Sequence, residues 1–205
     1  MKKLILLLAA LMTLTASCAC AKTISPLPAR IDPDAVANQA VSVLLLEIDW
    51  RAQTVTVALC EPEAFACEDI LSLQAGDVLR SRDGDIRVVS IESDRPIVRI
   101  NPNTDALTLT ENANGDFESM LYERKVYRAV AERTFALADD LVFLDGIDPS
   151  SGEALDMPTA HTPEELSAIL AGTSYGPGFM ADNTYMVFND DQEALVLGRF
   201  YVPWQ

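Results

Sequence analysis

Between Val41 and Thr110 the apolar runs are too short for helices, and turn-forming residues close each of them. Val41-Ser42-Val43-Leu44-Leu45-Leu46-Glu47-Ile48 is rich in β-branched and aliphatic side chains that suit a pleated surface. Residues 50–53 turn it back into Thr54-Val55-Thr56-Val57-Ala58-Leu59, where alternation puts Val55, Val57 and Leu59 on one face. Residues 73–80 and 85–91 flank Asp83-Gly84, and Asn114-Gly115 follows the alternating Leu107 and Leu109. Both dipeptides supply the positive φ that a two-residue hairpin turn demands. Pro96 opens a further run through Ile97, Val98 and Ile100, turned by Asn101-Pro102-Asn103. Turns at intervals of about eight to twelve residues are the spacing of a small β-barrel or sandwich.

Farther along, residues 118–133 hold Met120, Leu121, Val126, Tyr127, Val130 and Ala131 in a pattern that fits neither period well. Their Val-, Tyr- and Thr-rich character continues through Thr134-Phe135-Ala136-Leu137, which favours strand. Leu141-Val142-Phe143-Leu144 is one more apolar run. The clearest helix begins at Thr162, with Pro163 at its first position and Glu165 where a capping box needs it. Leu166, Ile169 and Leu170 form its apolar stripe, and Gly172 is placed to end it. After the turn-rich Tyr175-Gly176-Pro177-Gly178, residues 184–188 and 194–202 flank Asn189-Asp190-Asp191-Gln192 as a terminal hairpin, anchored by Tyr201 and Trp204. The expected fold is mainly β, of the α+β class. A barrel- or sandwich-like part spans residues 39–117, and an α+β part with one short helix and a C-terminal hairpin spans 118–205.

Ahead of these elements stands MKKLILLLAALMTLTASCACA. Lys2 and Lys3 precede an uncharged apolar run that is too short to remain as a membrane-spanning helix, so residues 1–21 read as a signal peptide and the protein as exported. Leu14-Thr15-Ala16-Ser17-Cys18 is similar to the lipobox of bacterial lipoproteins, in which the cysteine is lipidated and becomes the new N-terminus. Cys20 fits a looser version of that pattern. Cleavage after Ala19-Cys20-Ala21, an A-x-A-like site, would instead release a secreted protein. Residues 22–38, with Pro26, Pro28 and Pro33 and no clear period, read as a tether.

The formal net charge of −16 becomes −18 once Lys2 and Lys3 leave with the signal. A surface of that sign argues against nucleic acid as a partner, because phosphate backbones require clustered Lys and Arg. The acidity is concentrated at the end: from Thr134 onward there are twelve acidic residues and one basic residue, Arg199. Such a surface attracts cations or a basic partner, or simply keeps the protein soluble.

Beyond the signal, Cys60 and Cys67 are the remaining cysteines, and in an exported protein their C-x6-C spacing reads as a local structural disulfide, with free buried thiols as the alternative. The loop Asp145-Gly146-Ile147-Asp148-Pro149-Ser150-Ser151-Gly152-Glu153 offers Asp145, Asp148, Ser150 and Glu153 as oxygen ligands for calcium, though its spacing is not that of an EF-hand. The same residues also suit a plain type I turn. Asp182, Asp190 and Asp191 are carboxylates of the kind a glycosidase needs in pairs. His161, the only histidine, reads as an exposed residue ahead of a helix cap rather than a catalytic base. No G-x-S-x-G, H-E-x-x-H or phosphate-binding glycine loop occurs, and no cofactor is implied. The aromatic residues Trp50, Tyr175, Phe179, Tyr185, Phe188, Phe200, Tyr201 and Trp204 would serve either as core or as a platform for sugar or peptide.

The runs TFALADDLVFLDGIDPSSGEALD, TPEELSAIL and NTYMVFNDDQEALVLGRFYVPWQ resemble small, uncharacterised exported proteins of Gram-positive bacteria. That resemblance covers about the last eighty residues, carries no catalytic motif and implies no residue roles. The functional expectation is an exported cell-envelope protein, membrane-anchored if Cys18 is modified, that binds a protein or glycan partner without catalysis. The alternatives are a carboxylate-dependent glycan hydrolase and a calcium-stabilised adhesion module.

Overall fold

In a computed structural model, which describes residues 21–104, 107–173 and 178–202, the first strand starts at Thr23. The export stretch with Cys18 and Cys20, the loop 175–177 and Trp204 lie outside the described residues. Strand β1 (Thr23–Ile24) buries Ile24, and Val36 is completely enclosed. Leu27 donates its backbone N–H to Ala64 (2.7 Å) and the Arg30 guanidinium meets Asp116 (2.5 Å). Residues 22–38 are therefore not a tether but a strap laid over the body. The apolar Ile24, Ile31 and Val36, interspersed with the three prolines along the segment, give it enough surface to bury.

Strands β2 (Ala40–Asp49) and β3 (Thr54–Pro62) form the expected hairpin, with Val41, Val43, Val55, Val57 and Leu59 turned inward. The chain then leaves this sheet through β4 (Ala64–Phe65) and the short helix α1 (Cys67–Leu71). Strands β5 (Val78–Ser81) and β6 (Gly84–Arg87) form the expected hairpin, though its two-residue turn is Arg82-Asp83 and Gly84, at positive φ, opens β6 opposite Ser81; β5 also takes β1 as a parallel neighbour. A meander follows: β7 (Ile91–Asp94), β8 (Ile97–Ile100), β9 (Leu107–Glu111), β10 (Phe117–Leu121) and β11 (Arg124–Lys125). Phe65, Ile70, Leu79, Val98, Ile100, Leu109 and Phe117 fill the space between these two sheets and α1.

Strand β12 (Tyr127–Ile147) is long enough to do two jobs. Its first half runs antiparallel to β3, from Tyr127 opposite Pro62 to Ala136 opposite Thr54. Its second half takes β13 (Ala154–His161) as an antiparallel partner and β15 (Ala194–Arg199) as a parallel one. Strand β14 (Thr184–Phe188) joins β15 to β2, so the pairing β12-β15-β14-β2-β3 returns to β12 and closes a ring. Val43, Val57, Leu59, Leu137, Phe143, Met186, Phe188 and Leu197 fill its interior. Closure removes sheet edges, and that is why one unusually long strand is useful here.

Among the described residues the molecule is mainly β, as the sequence implied, but the boundary at residue 117 does not follow the sheets. β2 and β3 belong with β12, β14 and β15, while the small sheets are inserted between β3 and β12. Glu63 pins the insertion to the ring. Its buried carboxylate accepts from the Ser81 hydroxyl (3.1 Å), the Ser119 hydroxyl (2.6 Å) and the Arg82 backbone N–H (2.5 Å). Three donors satisfy a charge that would otherwise be costly to bury.

The helix α2 (Pro163–Ala168) starts as expected. The Thr162 hydroxyl accepts from the Glu165 N–H (3.3 Å), and the Glu165 carboxylate accepts from the Thr162 N–H (2.9 Å). Leu166 is fully buried in the ring's core. Past Ala168 the chain widens into a π-helical segment, Ile169–Thr173, which continues beyond the glycine expected to stop it.

Candidate functional site

Of the four register irregularities between the ring's strands, two lie beside grooves that flank Trp50. The first lies in β2, where Leu45 pairs with Val57 but Glu47 pairs with Thr56, leaving Leu46 as an extra residue. A bulge of this kind re-aims the side chain it releases. Leu46 is accordingly 46% exposed, although it sits within an apolar run. The second irregularity lies in β12, where Leu137 faces Ala194 and the next match to β15 is Val142 with Val196. Residues 138–141 are thereby lifted out of that ladder. Ala138 and Leu141 stay buried, while Asp139 and Asp140 face solvent.

The turn between β2 and β3 is held rigidly. The Asp49 carboxylate accepts from the Arg51 and Ala52 N–H groups, both at 2.9 Å. Gln53 takes a left-handed conformation (φ 54°), its side-chain amide donates to the Trp50 carbonyl (2.5 Å), and its own carbonyl accepts from Leu137 N–H (2.9 Å). Trp50 is thus fixed, half-buried, between the two bulges.

On one side lies a groove of about 510 Å³ lined by Trp50, Gln53, Leu137, Asp139, Leu141 and, from α2, Pro163, Glu164 and Ser167. On the other lies a groove of about 450 Å³ lined by Leu45, Leu46, Glu47, Ile48, Leu170 and Phe179. Trp50 and Ser167 border both. The first has a mainly apolar lining with a few polar groups, the composition of a ligand site, whereas the second is shallower and exposes more polar than apolar surface. A larger depression, about 630 Å³, lies on the inserted sheets beside Asp83, Asp85 and Tyr122, away from the ring's core.

The expected site residues are placed elsewhere. Asp145 is wholly buried and bonded to Arg199, so its carboxylate is committed and the calcium set Asp145, Asp148, Ser150 and Glu153 does not assemble. Asp148 instead organises a turn, accepting from the Ser150 hydroxyl (2.6 Å) and N–H (2.8 Å), and these bonds hold its carboxyl below the usual range. Among the described residues no cluster of His, Cys, Asp and Glu is arranged to hold a metal.

Cys60 and Cys67 are free thiols, so the expected disulfide is not formed. Cys60 is buried on β3, with its Sγ donating to the Ala58 carbonyl (3.3 Å), and burial pushes its thiol pKa up. Cys67 stands in the first turn of α1, near the Arg95 guanidinium (3.6 Å). The two occupy different packing environments.

Asp182 pairs with Arg124, Asp190 accepts from Asn38 (2.5 Å), and Asp191 sits in the terminal turn, so these acids do not share a cleft. His161 is less exposed than its place before a cap suggested. Its ring lies 5.7 Å from that of Phe143, Nδ1 is 3.5 Å from Glu165, and Nε2 is buried without a hydrogen-bond partner. Among the described late aromatics, Phe188 packs inward against Phe135 (4.5 Å) and Phe179 against Phe143 (5.6 Å), while Phe200 and Tyr201 are exposed.

The groove residues Leu46, Gln53, Leu137, Asp139, Leu141, Glu164 and Ser167 carry no motif. Two signals did point to them: Leu44-Leu45-Leu46 breaks the alternation of β2, and Asp139-Asp140 interrupts the apolar residues of β12. Comparison of the chain with protein-family models, with curated proteins and with solved structures finds no match.

Proposed function

We propose that the chain is an exported cell-envelope protein, held at the outer face of the membrane by lipid on Cys18, whose body binds a partner beside Trp50. The observation that carries the binding reading is the pair of bulges, which turn a closed ring's wall into two grooves sharing one fixed tryptophan. Bulges re-aim the side chains they release and recur beside binding sites.

The strap sharpens the anchoring. With Lys22 already bonded to Asp77 and Ile24 buried, only residues 19–21 lie between a lipidated Cys18 and the strap, a reach of no more than about 14 Å from Cys18 to Lys22. The protein would sit close against the bilayer instead of swinging from a tether. A diacylglyceryl group supplies two chains, enough for stable attachment.

A second reading has one observation in its favour: Asp139 and Glu164 line the same groove as Trp50, as paired carboxylates do in a glycan hydrolase. Both are solvent-exposed, however, whereas the acid of such a pair is normally seated in an apolar environment that keeps its proton. Binding is the better use of this groove.

Two measurements test the proposal. A radioactive fatty acid should label the wild type and not C18S, and an unlabelled wild type removes the anchor. A photo-crosslinker placed at Leu46 in cells should give adducts absent when it is placed at Glu92 on β7. Equal adduct patterns from both positions would reject the grooves as the binding face.

A further inference from the structure

The two grooves differ from a general apolar cleft in the sign of their charge. Glu47 borders one, Asp139 and Glu164 border the other, and among the described residues lining either groove none is Lys, Arg or His. The surroundings reinforce that sign. Of the charged residues after Thr134, Arg199 alone is basic, and its side chain is buried against Asp145 and stacked on Phe179 at 4.7 Å. It therefore adds no positive charge to the surface. Arg51, exposed in the turn beside Trp50, is the nearest cation in sequence, but the charged groups of the lining itself are all carboxylates, and like charges brought together are costly.

The apolar part has its own pattern. Leu46 (46% exposed) and Leu170 (37% exposed) stand at the mouth of one groove, with Trp50 and Phe179 between them and the core. Leu137 and Leu141 floor the other. An uncharged sugar would use the tryptophan but leave three carboxylates without counter-charges. A chain that alternates apolar and cationic side chains uses both features. Its aliphatic side chains would cover Leu46 and Leu170, and its ammonium or guanidinium groups would meet Glu47, Asp139 and Glu164. The Trp50 ring adds attraction for a cation passing over it.

We propose that the paired grooves seat a basic, leucine-rich segment of a partner protein. The inference rests on the reading of the body as a binding module and specifies the partner's chemistry. It predicts charge-steered association that weakens with salt, since exposed pairs are screened beyond about 8 Å at physiological ionic strength.

The test uses the full-length chain carrying W204F, which leaves Trp50 as the sole tryptophan reporter. A synthetic dodecapeptide of alternating Lys and Leu, its Glu-for-Lys counterpart and cellohexaose are each titrated while Trp50 emission is followed. The Lys/Leu peptide should give a saturable blue shift, and the other two should give none. D139N/E164Q should weaken binding about tenfold, while E92Q/D94N, which removes the same charge from exposed β7, should leave it within about twofold. Equal weakening by both double variants would reduce the effect to general attraction by an acidic protein and overturn the proposal. A shift with cellohexaose but not with the peptide would overturn the partner class while leaving the binding role intact. Silence of all three probes overturns the peptide proposal, and crosslinking from Leu46 then decides the binding role separately.

Discussion

Asp145 and Arg199 face each other across the parallel strands β12 and β15 and are both sealed from solvent. Arg199 donates through Nε to Oδ1 (3.0 Å) and through a terminal nitrogen to Oδ2 (2.5 Å), and Asp145 also accepts from the Ile147 N–H (3.0 Å). The bidentate fork supplies each buried charge with its counter-charge where β12 and β15 lie close together. A Cβ on Gly146 would come within 3.1 Å of the Arg199 carbonyl and 3.2 Å of the Phe200 Cα. Arg199 also lies over the Phe179 ring, so the pair holds up one wall of the second groove.

Removing one partner strands the other charge in the interior. D145N and R199M should each cost about 3–5 kcal/mol in urea unfolding. D145L/R199M, which leaves no buried charge, should cost clearly less than the two single changes together. A D145N cost under about 1 kcal/mol would place the pair with ordinary surface bridges.

The strap offers a pH-dependent reading of its own docking. The Asp77 carboxylate accepts from the Lys22 N–H (2.9 Å) and the Gln74 N–H (2.9 Å), and these bonds hold its pKa below the ordinary value. A lowered folded pKa stabilises the fold fully above the unfolded value of about 3.9, and that stabilisation is lost as pH falls through the folded pKa. Protection factors at Lys22 and Ile24, corrected for the slower intrinsic exchange in acid, should therefore fall below about pH 4, ahead of those in the ring. In D77N the acid-induced step should vanish, with faster exchange at neutral pH already present.

Local chemistry was legible wherever it was carried by neighbours in sequence. The capping box at Thr162, the hairpins marked by Asp83-Gly84 and Asn114-Gly115, and the alternation of β3 all follow from residues within a few positions of each other. What could not be read was pairing at long range. Nothing near Tyr127 announces that β12 will take β3 for its first half and β15 for its second, because both choices are made by burial across the ring. The same gap hid the site. Leu46 looks like one more core leucine until the β2 register is known, and Asp145 looks like a surface ligand until Arg199 arrives from 54 residues away.

The free cysteines give a chemical check on the packing. Cys60 is buried, with its thiol pKa pushed up, and Cys67 is half-exposed beside a guanidinium. Only the thiolate reacts with iodoacetamide, and only where the reagent can reach it. At pH 8 peptide mapping should find Cys67 modified at least about tenfold faster than Cys60, with the difference abolished in urea. Resistance of both residues to labelling, reversed by a reductant, would instead reveal the C-x6-C disulfide.

The last prediction concerns the helix that walls both grooves. α2 has only six residues, too few to persist on propensity alone. It is held by two things: Leu166, buried in the ring, and the reciprocal bonds between Thr162 and Glu165. Leu166 points inward, so it fixes the helix to the body but does not orient its first turn. That task falls to the cap, and Glu164 and Ser167 reach the groove from the turn it orients. T162A should therefore lower stability by about 1 kcal/mol, while T162S, which keeps the accepting oxygen, should stay within a few tenths. If the cap also sets the groove, T162A should redden and broaden Trp50 emission in the W204F chain under conditions where the protein remains folded. A stability loss without any change at Trp50 would separate the helix from the groove and leave the bulges alone to shape it.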